Sequence, residues 1–369
     1  MLRNIYLVSM LLLFVVACSP TNQATSKQNS LSPAQLLPYG RTILNANQEL
    51  ELISSAVHFG FSFSGESCKL FAAHEYEGGH NYLQYVVDGV YKKRVRVEGK
   101  GSEPIVINGA GTGRHTVWIY KATEAHTGAV VIKKIAGSGV QALKKPQLPL
   151  IEFIGNSITS GASADPSEVP CGTAEYHDQH NAFFAYGPRL ARALGTEFIL
   201  SSVSGIGIYR NWNSDGPIMP DVYEKTDFRA GSAHNWVFKS YDPKIVSVAL
   251  GTNDFSNGDG KKERLPFDSA KFVSNYIQFV RLVKTKYPKA AIVLLSSPMV
   301  IGNRRALLQN CLTAVKQNVN PLYPSGKPLE LFFFKPMTAR GCGGHPSVED
   351  HAVMAVELEE FFRGVMGKL

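Results

Sequence analysis

The stretch LIEFIGNSITSG, residues 150–161, decides the fold of the second half of this chain. Residues 150–154 form a mostly apolar, strand-like run, which is typical of a strand buried on both faces of a parallel sheet. Small and polar residues follow, and Ser157 stands where this strand ends and the next helix can begin. Because ligands bind at the carboxyl ends of strands in open α/β sheets, Ser157 is predicted to face a ligand site.

The alternation of strand and helix continues towards the C-terminus. Four further apolar runs have the same character: residues 198–203, 245–250, 292–297 and 329–334. A helix is indicated by apolar residues at 3–4 spacing: Phe272, Tyr276, Phe279, Val280 and Val283. Ser347 followed by Asp350 is typical of a helix start, and this helix is expected to run towards Gly367. Residues 150–369 are therefore predicted to form an α/β/α sandwich with a parallel sheet.

Residues 39–141 have the pattern of an all-β domain. Runs rich in Val, Ile, Tyr and Phe alternate with Gly- and Asn-rich turns, at residues 51–63, 81–87, 91–97, 105–108 and 116–120. Asp88 and Gly89 suit the positive φ angles of a type I′ hairpin between two of these runs. A β-sandwich of jelly-roll type is expected here, joined to the second domain by a two-proline linker at residues 142–149.

The N-terminus has the character of an export signal. Arg3 precedes a mostly apolar run that is shorter than the roughly 20 residues of a membrane span, so residues 1–17 are predicted to be a signal peptide. The tetrapeptide VVAC at residues 15–18 resembles the lipobox of bacterial lipoproteins, which implies a lipid anchor at Cys18. Ordinary signal cleavage is the alternative. Residues 18–38 are polar and predict a flexible tether.

These features predict where the protein is located. We expect it to be exported and anchored by lipid to a bacterial cell membrane. The residue after Cys18 is Ser19 and not an aspartate. This is compatible with delivery to the outer membrane, on its periplasmic or its outer face. The expected contact with a membrane is therefore through the anchor and not through a spanning helix.

Charge and composition exclude several classes of partner and cofactor. The chain has 38 Lys and Arg against 30 Asp and Glu, a net charge of +8 that is spread along its length. Its sequence has no helical basic face interleaved with aromatics, so nucleic acid is not expected as a partner. Residues 177–180 (HDQH) lack a third ligand and a helical context, and residues 109–113 lack the spacing of a nucleotide fingerprint. Neither a metal nor a cofactor is predicted.

Four blocks of small and polar residues stand at predicted strand ends or before the last helix. They are GNSIT at 155–159, SGIG at 204–207, GTND at 251–254 and GCGGHP at 341–346. Each is common alone, but the four in this order resemble the SGNH (GDSL-type) hydrolases. That resemblance spans residues 150–369 and implies Ser157 as nucleophile and His345 as base. It also implies an oxyanion hole made by the backbone N–H groups of Ser157 and Gly205 and the side-chain amide of Asn253.

A narrower resemblance covers nearly all of the chain after the export signal. The segments SGIGIYRN at 204–211 and MPDVY at 219–223, together with the preceding sandwich, are similar to carbohydrate esterase family 2. That family consists of exported acetyl esterases acting on acetylated xylan, mannan or related sugars. The resemblance implies a serine esterase that works through an acyl-enzyme. Serine is a weak nucleophile until a base takes its proton, so the pairing with His345 is essential to this chemistry.

Two positions depart from the usual SGNH pattern. Asn156 replaces the aspartate that commonly precedes the serine, a position that is generally structural. The acid usually found two or three residues before the histidine is absent, because residues 342–343 are Cys-Gly. A triad acid orients the imidazole. We therefore expect a backbone carbonyl to orient His345 in a Ser–His dyad, with Asp165 or Asp178 as the alternative.

The cysteines predict a disulfide framework. Without Cys18, the cysteines that remain are Cys68, Cys171, Cys311 and Cys342. An exported chain meets an oxidising compartment, and four cysteines allow three different pairings. A bridge between Cys311 and Cys342 would pin the loop that carries His345, with two free buried thiols as the alternative.

The natural substrate is left open by the sequence. Tyr209, Trp212 and Trp236 are candidates for stacking on a sugar ring, with ordinary packing as the alternative for each. A related esterase acting on lipid or peptidoglycan esters would carry the same four blocks. The missing acid also leaves open a catalytically degenerate lipoprotein that binds carbohydrate without turnover.

Overall fold

The computed structural model describes residues 29–99 and 103–369. The predicted signal peptide, Cys18 and the first part of the predicted tether lie outside the described residues. Within the described ranges, none of the helices combines the length and the apolar character needed to cross a membrane.

The first domain is a sandwich of two antiparallel sheets. Its strands are β1 (Ser30–Leu31), β2 (Thr42–Leu44), β3 (Leu50–Leu52), β4 (His58–Ser64), β5 (Ser67–His74), β6 (His80–Val87), β7 (Val90–Glu98), β8 (Ile105–Asn108), β9 (Arg114–Lys121), β10 (Val130–Ala136) and β11 (Gln141–Ala142). One sheet has the order β2-β3-β10-β5-β8, with β1 also paired to β10, and the other has the order β11-β4-β9-β6-β7. Phe59, Phe61 and Phe63 are buried between the sheets, because every second side chain of a strand points to the same face.

The hairpin between β6 and β7 is the one predicted from the sequence. Asp88 and Gly89 have φ angles of 52° and 79°, the left-handed conformation that a type I′ turn requires at both central residues. The matching twist of turn and strands keeps β6 and β7 paired along their length. Strand β6 contacts the second domain, where the Gln84 amide donates to the Asn181 side chain at 2.7 Å.

The start of the sandwich corrects the predicted tether. Residues 18–38 were expected to be flexible, but β1 pairs with β10, and Leu31 and Leu36 are only 2% and 5% exposed. Both leucines belong to the sandwich core. Leucines scattered through a polar stretch show no periodicity. The burial of Leu31 depends on a partner strand that lies about a hundred residues further along the chain.

Strand boundaries also differ from the prediction. The run at residues 51–63 is two strands, β3 and β4, separated by a turn in which Ala56 has a φ of 53°. Strands β5 and β10 were not predicted. In β10 the register shifts between Ile132 and Lys134, and this irregularity breaks the alternation that identifies a strand in sequence.

The second domain is an α/β/α sandwich. Its elements are β12 (Leu150–Gly155), α1 (Ser157–Ser160), α2 (Tyr186–Leu194), β13 (Glu197–Ser202), α3 (Met219–Val222), β14 (Pro243–Ala249), α4 (Thr252–Phe255), α5 (Ser269–Lys286), β15 (Ala291–Leu295), α6 (Asn303–Val319), β16 (Glu330–Phe332) and α7 (Val348–Met366). The sheet has the order β13-β12-β14-β15-β16 and its described pairs are all parallel. Helices α5 and α6 bury one face of the sheet, and α2 and α7 bury the other.

The two helices predicted from local patterns are present. The five apolar residues spaced along α5 are all buried, as their 3–4 spacing indicated. Helix α7 begins after Ser347, whose hydroxyl accepts a hydrogen bond from the N–H of Asp350, while the Asp350 side chain accepts one from the N–H of Ser347. This reciprocal capping box satisfies backbone donors that a helix start leaves unpaired.

The topology places three of the four sequence blocks at a switch point of the sheet. The chain passes from β12 outwards to β13 and then returns to β14 on the other side of β12. In doubly wound sheets, ligands bind in the crevice where the strand order reverses in this way. The residues that follow β12, β13 and β14 are the first three of the four blocks.

The disulfide differs from the prediction. Cys171 and Cys342 are bonded, with their Cα atoms 5.3 Å apart, and the Cys311–Cys342 pairing is wrong. Cys311 is a free, buried thiol on α6, where it packs in the apolar core beneath the sheet. Cys342 lies at the opposite end, at the carboxyl edge of the strands. Sequence spacing could not show that the long loop of Cys171 reaches this edge.

This disulfide predicts a loss of stability on its removal. The double variant Cys171→Ser/Cys342→Ser is expected to lose about 2–4 kcal/mol in free energy of unfolding, because the unfolded chain is no longer cross-linked. Guanidinium unfolding measures the change, with Cys311→Ser as the control for loss of a buried thiol. In the unreduced, unfolded protein, thiol titration should detect Cys68 and Cys311 but neither Cys171 nor Cys342. Reactive thiols at all four positions would contradict the bridge.

Candidate active site

Ser157 is held at the tip of a tight strand-to-helix turn. It is the first residue of α1, immediately after β12 and Asn156. The Asn156 side chain accepts a hydrogen bond from the Ile158 N–H at 3.1 Å, so Asn156 caps the helix and fills the structural role expected for this position. Gly155 has no room for a side chain, because a Cβ atom there would collide with the Thr159 hydroxyl. The turn therefore presents Ser157 at the carboxyl edge of the sheet.

The predicted base, His345, lies on a loop between β16 and α7. The Nδ1 atom of His345 is 3.2 Å from the carbonyl oxygen of Cys342. A carbonyl oxygen only accepts, so Nδ1 carries the proton and Nε2 is left with its lone pair. Burial lowers the pKa of His345 below its ordinary value, which favours the neutral imidazole that a general base needs.

The alternative acids are engaged elsewhere. Asp165 accepts a hydrogen bond from the Asn181 amide at 2.7 Å, and Asp178 is paired with His80 at 2.6 Å. The partners of the His345 imidazole are thus backbone groups: the Cys342 carbonyl, 3.2 Å from Nδ1, and the backbone of Gly343. A backbone acceptor on Nδ1 is what the predicted Ser–His dyad needs in place of an acid.

The predicted oxyanion donors come from the next two strands of the switch point. Gly205 follows β13 with a φ of 74°, a conformation that suits glycine. Asn253 lies in α4 after β14, and its amide donates to the Ile206 carbonyl at 2.8 Å. An amide nitrogen carries two hydrogens, so Asn253 can tie down this loop and still offer a donor to a ligand. Ser157, Gly205, Asn253 and His345 all line one cavity of about 820 Å³.

Asp254 is a structural member of the site that sequence reasoning missed. Its buried carboxylate accepts hydrogen bonds from the backbone N–H groups of Ile208, Tyr209 and Arg210 at 2.9 to 3.2 Å. Burial outweighs these hydrogen bonds and raises the pKa of Asp254 to about 6. The contact fixes the loop after Gly205 to the helix that carries Asn253. The only signal in the sequence was an Asn-Asp pair after a strand, which is also ordinary turn chemistry.

Comparison with known families decides where this arrangement belongs. The family described as "Carbohydrate esterase 2 N-terminal" matches residues 39–146, and the "GDSL-like Lipase/Acylhydrolase family" matches residues 153–325. The chain belongs to carbohydrate esterase family 2. It is a carboxylic ester hydrolase, as the four blocks predicted. His345 lies beyond the residues matched by the GDSL-like family, so its place in this esterase rests on geometry.

Relatives of this family 2 esterase agree over nearly the whole chain. An "Acetylxylan esterase / glucomannan deacetylase" from Cellvibrio japonicus is 27% identical over 96% of both chains. The "Cellulase/esterase CelE" of Acetivibrio thermocellus is 32% identical over 79% of this chain, which is 35% of that protein. Among solved structures, a family two carbohydrate esterase from Cellvibrio japonicus has a TM-score of 0.79 at 25% identity, covering 92% of this chain and 98% of that one. One from Clostridium thermocellum in complex with cellohexaose has a TM-score of 0.77 at 27% identity, covering 90% and 100%.

The aromatic candidates of the esterase separate into one inside the site and two outside it. Trp212 lines the cavity and is 44% exposed. Tyr209 instead packs edge-on against Phe267, with ring centroids 5.8 Å apart, and Trp236 stacks on Tyr241 at 5.3 Å. The prediction that Tyr209 and Trp236 bind substrate is therefore corrected, since neither lines the cavity. Loop aromatics look alike in sequence, and only the path of each loop decides which ring stays exposed.

The structure places a third possible metal-ligating residue beside the His-Asp-Gln-His segment at residues 177–180. The structure brings His80 beside His177 and Asp178, with candidate ligand atoms within 4.8 Å of one another. Asp178 accepts from His80 at 2.6 Å and from the Tyr82 hydroxyl at 2.7 Å, and His177 bonds to the His80 carbonyl at 3.1 Å. These mutual hydrogen bonds account for the grouping as a polar link between the two domains.

The lowered pKa of His345 predicts the acid limb of the pH profile. The imidazole acts as a base only when neutral, so burial keeps the esterase active to lower pH than an ordinary histidine would. We expect kcat/KM to rise with a midpoint below pH 6.5 and to be flat above it. A rate series with 4-nitrophenyl acetate from about pH 4 to pH 8 measures it. A midpoint above 6.5, or a profile without an inflection, would contradict His345 as the base.

Proposed function

We propose that this chain is a serine esterase that removes acetyl groups from carbohydrate, with Ser157 as nucleophile and His345 as base. The observation that carries the proposal is the imidazole held by the Cys342 carbonyl at 3.2 Å, on the wall of the cavity that also contains Ser157. This contact supplies the orientation that a triad acid normally provides. It favours turnover over the degenerate binding protein that the missing acid had left open.

The first half of the reaction forms the acyl-enzyme. The Ser157 oxygen attacks the acetyl carbonyl carbon while Nε2 of His345 takes the hydroxyl proton. The N–H groups of Ser157 and Gly205 and the amide of Asn253 then donate to the oxyanion of the tetrahedral intermediate. As the intermediate collapses, the ester C–O bond breaks, and His345 returns the proton to the departing sugar hydroxyl.

The second half releases acetate. Water attacks the acetyl-Ser157 ester while Nε2 of His345 takes a proton from it, and the same three donors hold the second oxyanion. Collapse returns the proton to the Ser157 oxygen and frees acetic acid, which ionises in water. The Cys342 carbonyl favours the imidazolium in both halves, because its oxygen accepts from the Nδ1–H that becomes more acidic when Nε2 is protonated.

The shape of the site suits a polysaccharide chain. The cavity is open to solvent beside Trp212, whose exposed ring offers an apolar platform for the face of a sugar ring. The curated relative from Cellvibrio japonicus is named for acetylxylan and glucomannan, and a solved relative holds cellohexaose. These findings support acetylated xylan, mannan or a related glycan as the substrate.

We further propose that the esterase is exported and anchored by lipid at Cys18. The lipobox-like VVAC sequence supports the anchor, and the described sandwich begins close behind it, at Ser30. The disulfide between Cys171 and Cys342 fits an oxidising compartment outside the cytosol. The anchor would hold the enzyme at a membrane surface while its cavity remains open to polymeric substrate.

Removal of the nucleophile tests the proposed reaction. Ser157→Ala is expected to lower kcat by at least about 10³-fold, and Asn253→Ala by about 10²–10³-fold, because an oxyanion donor acts mainly in the transition state. Acetate release from 4-nitrophenyl acetate and from acetylated xylan measures both. The matched control is Ser160→Ala, a serine of the same helix whose hydroxyl bonds to Ser202 at 2.8 Å. Equal turnover in wild type and Ser157→Ala would overturn the nucleophile, and binding without turnover in either would favour the carbohydrate-binding alternative.

A second substitution tests the sugar platform. Trp212→Ala is expected to raise KM for acetylated xylan by about 3- to 10-fold through loss of an aromatic contact, and to change kcat/KM for 4-nitrophenyl acetate much less. Trp236→Ala is the matched control, since this tryptophan lies away from the cavity, beneath Arg41 at 4.8 Å. Equal effects of Trp212→Ala on both substrates would show that the ring supports the site without binding sugar.

A further inference from the structure

We infer that Glu124, a side chain of the N-terminal sandwich, is a positioning residue of the esterase site that holds both the oxyanion loop and the loop of the catalytic base. The inference rests on the proposed function and deepens it, because it makes the first domain part of the catalytic machinery. The hydrogen bonds of this one buried carboxylate lead in two directions.

Glu124 is fixed by the sandwich but points out of it. It follows β9, at the start of a short 3₁₀ turn at Ala125–Thr127, and its side chain is 0% exposed. Its backbone carbonyl accepts hydrogen bonds from the ammonium of Lys121 at 2.6 Å and the hydroxyl of Thr127 at 2.8 Å. Lys121 is itself buried and also donates to the Ile53 carbonyl at 2.8 Å. The first domain thus determines where this carboxylate stands.

One direction leads to the oxyanion loop. Oε2 of Glu124 accepts a hydrogen bond from the Ser204 N–H at 2.7 Å, and Oε1 accepts one from the Ser204 hydroxyl. Ser204 directly precedes Gly205, whose N–H is a proposed oxyanion donor, and the two residues share a peptide unit. Hydrogen bonds to both the backbone N–H and the side chain of Ser204 restrain that peptide unit. Tyr176 adds a third contact, from its hydroxyl to the Ser204 hydroxyl at 3.0 Å.

The other direction leads to the base. Nε2 of His180 lies 3.2 Å from Oε1 of Glu124 and donates to it, which leaves Nδ1 of His180 to accept from the Ser163 N–H at 3.2 Å. The Ser163 carbonyl accepts in turn from the Cys342 N–H at 2.8 Å. The Cys342 carbonyl is the group that orients His345. A continuous chain of hydrogen bonds therefore joins Glu124 to the catalytic imidazole.

The partners of Glu124 also determine its charge. Burial alone would raise the pKa of this carboxyl, but the hydrogen bond from His180, the charges of His126 and His180 and the hydrogen bond from Ser204 together lower it to about 2. The group is therefore ionised wherever the esterase works. Its negative charge opposes the effect of burial on His345, because it raises the pKa that burial lowers.

Other ionisable groups around His345 act differently. The Tyr176 ring lies 6.2 Å from the imidazole, and its pKa is raised by burial, so it stays neutral. His180 and His351 are buried, and burial lowers the pKa of each, which disfavours their charged forms. Glu124 is thus the group among these whose charge should move the titration of His345.

Other links between the domains support the same part of the chain without touching the catalytic loops. The Gln84 amide donates to the Asn181 side chain at 2.7 Å, and the buried Arg94 guanidinium donates to the His180 carbonyl at 3.0 Å. Both place the segment that carries His180 against the sandwich. Glu124 differs from them because its carboxylate contacts both Ser204, which lines the cavity beside Gly205, and His180, which bonds to the cavity-lining Ser163.

The test is Glu124→Gln in the full-length esterase, assayed on 4-nitrophenyl acetate. The amide has one acceptor oxygen where the carboxylate has two, so one of the two loops loses its partner. We expect kcat to fall about 10- to 100-fold, as for a small displacement of a catalytic group, with KM changed less than twofold. The acid limb of kcat/KM should also move to lower pH, because the negative charge that raises the pKa of His345 is gone. A role confined to stability would not move that limb.

The matched control is Glu152→Gln. Glu152 is an equally buried carboxylate, in β12, bonded to the Ser201 hydroxyl at 2.6 Å and the Tyr223 hydroxyl at 3.1 Å, away from the cavity. This variant is expected to keep the wild-type kcat and acid limb even if its melting temperature falls. Melting curves show which variants are folded at the assay temperature.

A second variant keeps the test decisive if Glu124→Gln does not fold. Ser204→Ala removes the hydroxyl contact and keeps the backbone one, so a smaller loss, about 3- to 10-fold in kcat, is expected. A folded Glu124→Gln with wild-type kcat and acid limb would overturn the positioning role. Where Glu124→Gln does not fold, a folded Ser204→Ala with wild-type kcat would overturn it.

Ser157→Ala in the same series separates this inference from the function on which it rests. Loss of turnover in Ser157→Ala with full turnover in Glu124→Gln overturns the role of Glu124 and leaves the serine esterase intact. Turnover that survives in Ser157→Ala overturns the proposed function and, with it, the role of Glu124.

Discussion

The constraint on which the site depends is that the paired strands of the catalytic sheet all run in the same direction. Their carboxyl ends meet at one edge, so blocks that lie about fifty residues apart in the chain become neighbours there. The reversal of strand order around β12 opens a crevice at that edge. Ser157, Gly205 and Asn253 follow three adjacent strands into it. Each donor or nucleophile therefore inherits its position from a strand that is buried on both faces.

The orientation of His345 shows how a site can replace a missing carboxylate. The Cys342 carbonyl is neutral and stabilises an imidazolium less than a charged partner would. Its value depends on how firmly it is held, since an orienting group must stay within a fraction of an ångström of its place. Here the disulfide to Cys171 and the hydrogen bond from the Cys342 N–H to Ser163 restrain the same residue from two sides.

The predictions that succeeded from sequence were those whose signal is local. The capping box of Ser347 and Asp350 closes within four residues, and the turn at Asp88 and Gly89 depends on two φ angles. Those that failed needed a distant partner. Leu31 is buried only because β10 lies beside it, and Cys342 pairs with a cysteine 171 residues away and not with Cys311. Tyr209 and Trp236 failed because a ring's exposure depends on what packs over it.

The amino-acid sequence by itself determined the two-domain architecture, the five strands and two of the helices of the second domain, and the four blocks that are proposed to carry the chemistry. These follow from periodicity and from residue types that only certain turns accept. The tertiary structure alone decided the partner of His345, the disulfide, the aromatic ring that borders the cavity, and the reach of Glu124 from one domain into the other. The physical reason is distance along the chain: such contacts join residues that no local pattern relates, and only packing brings them within hydrogen-bonding range.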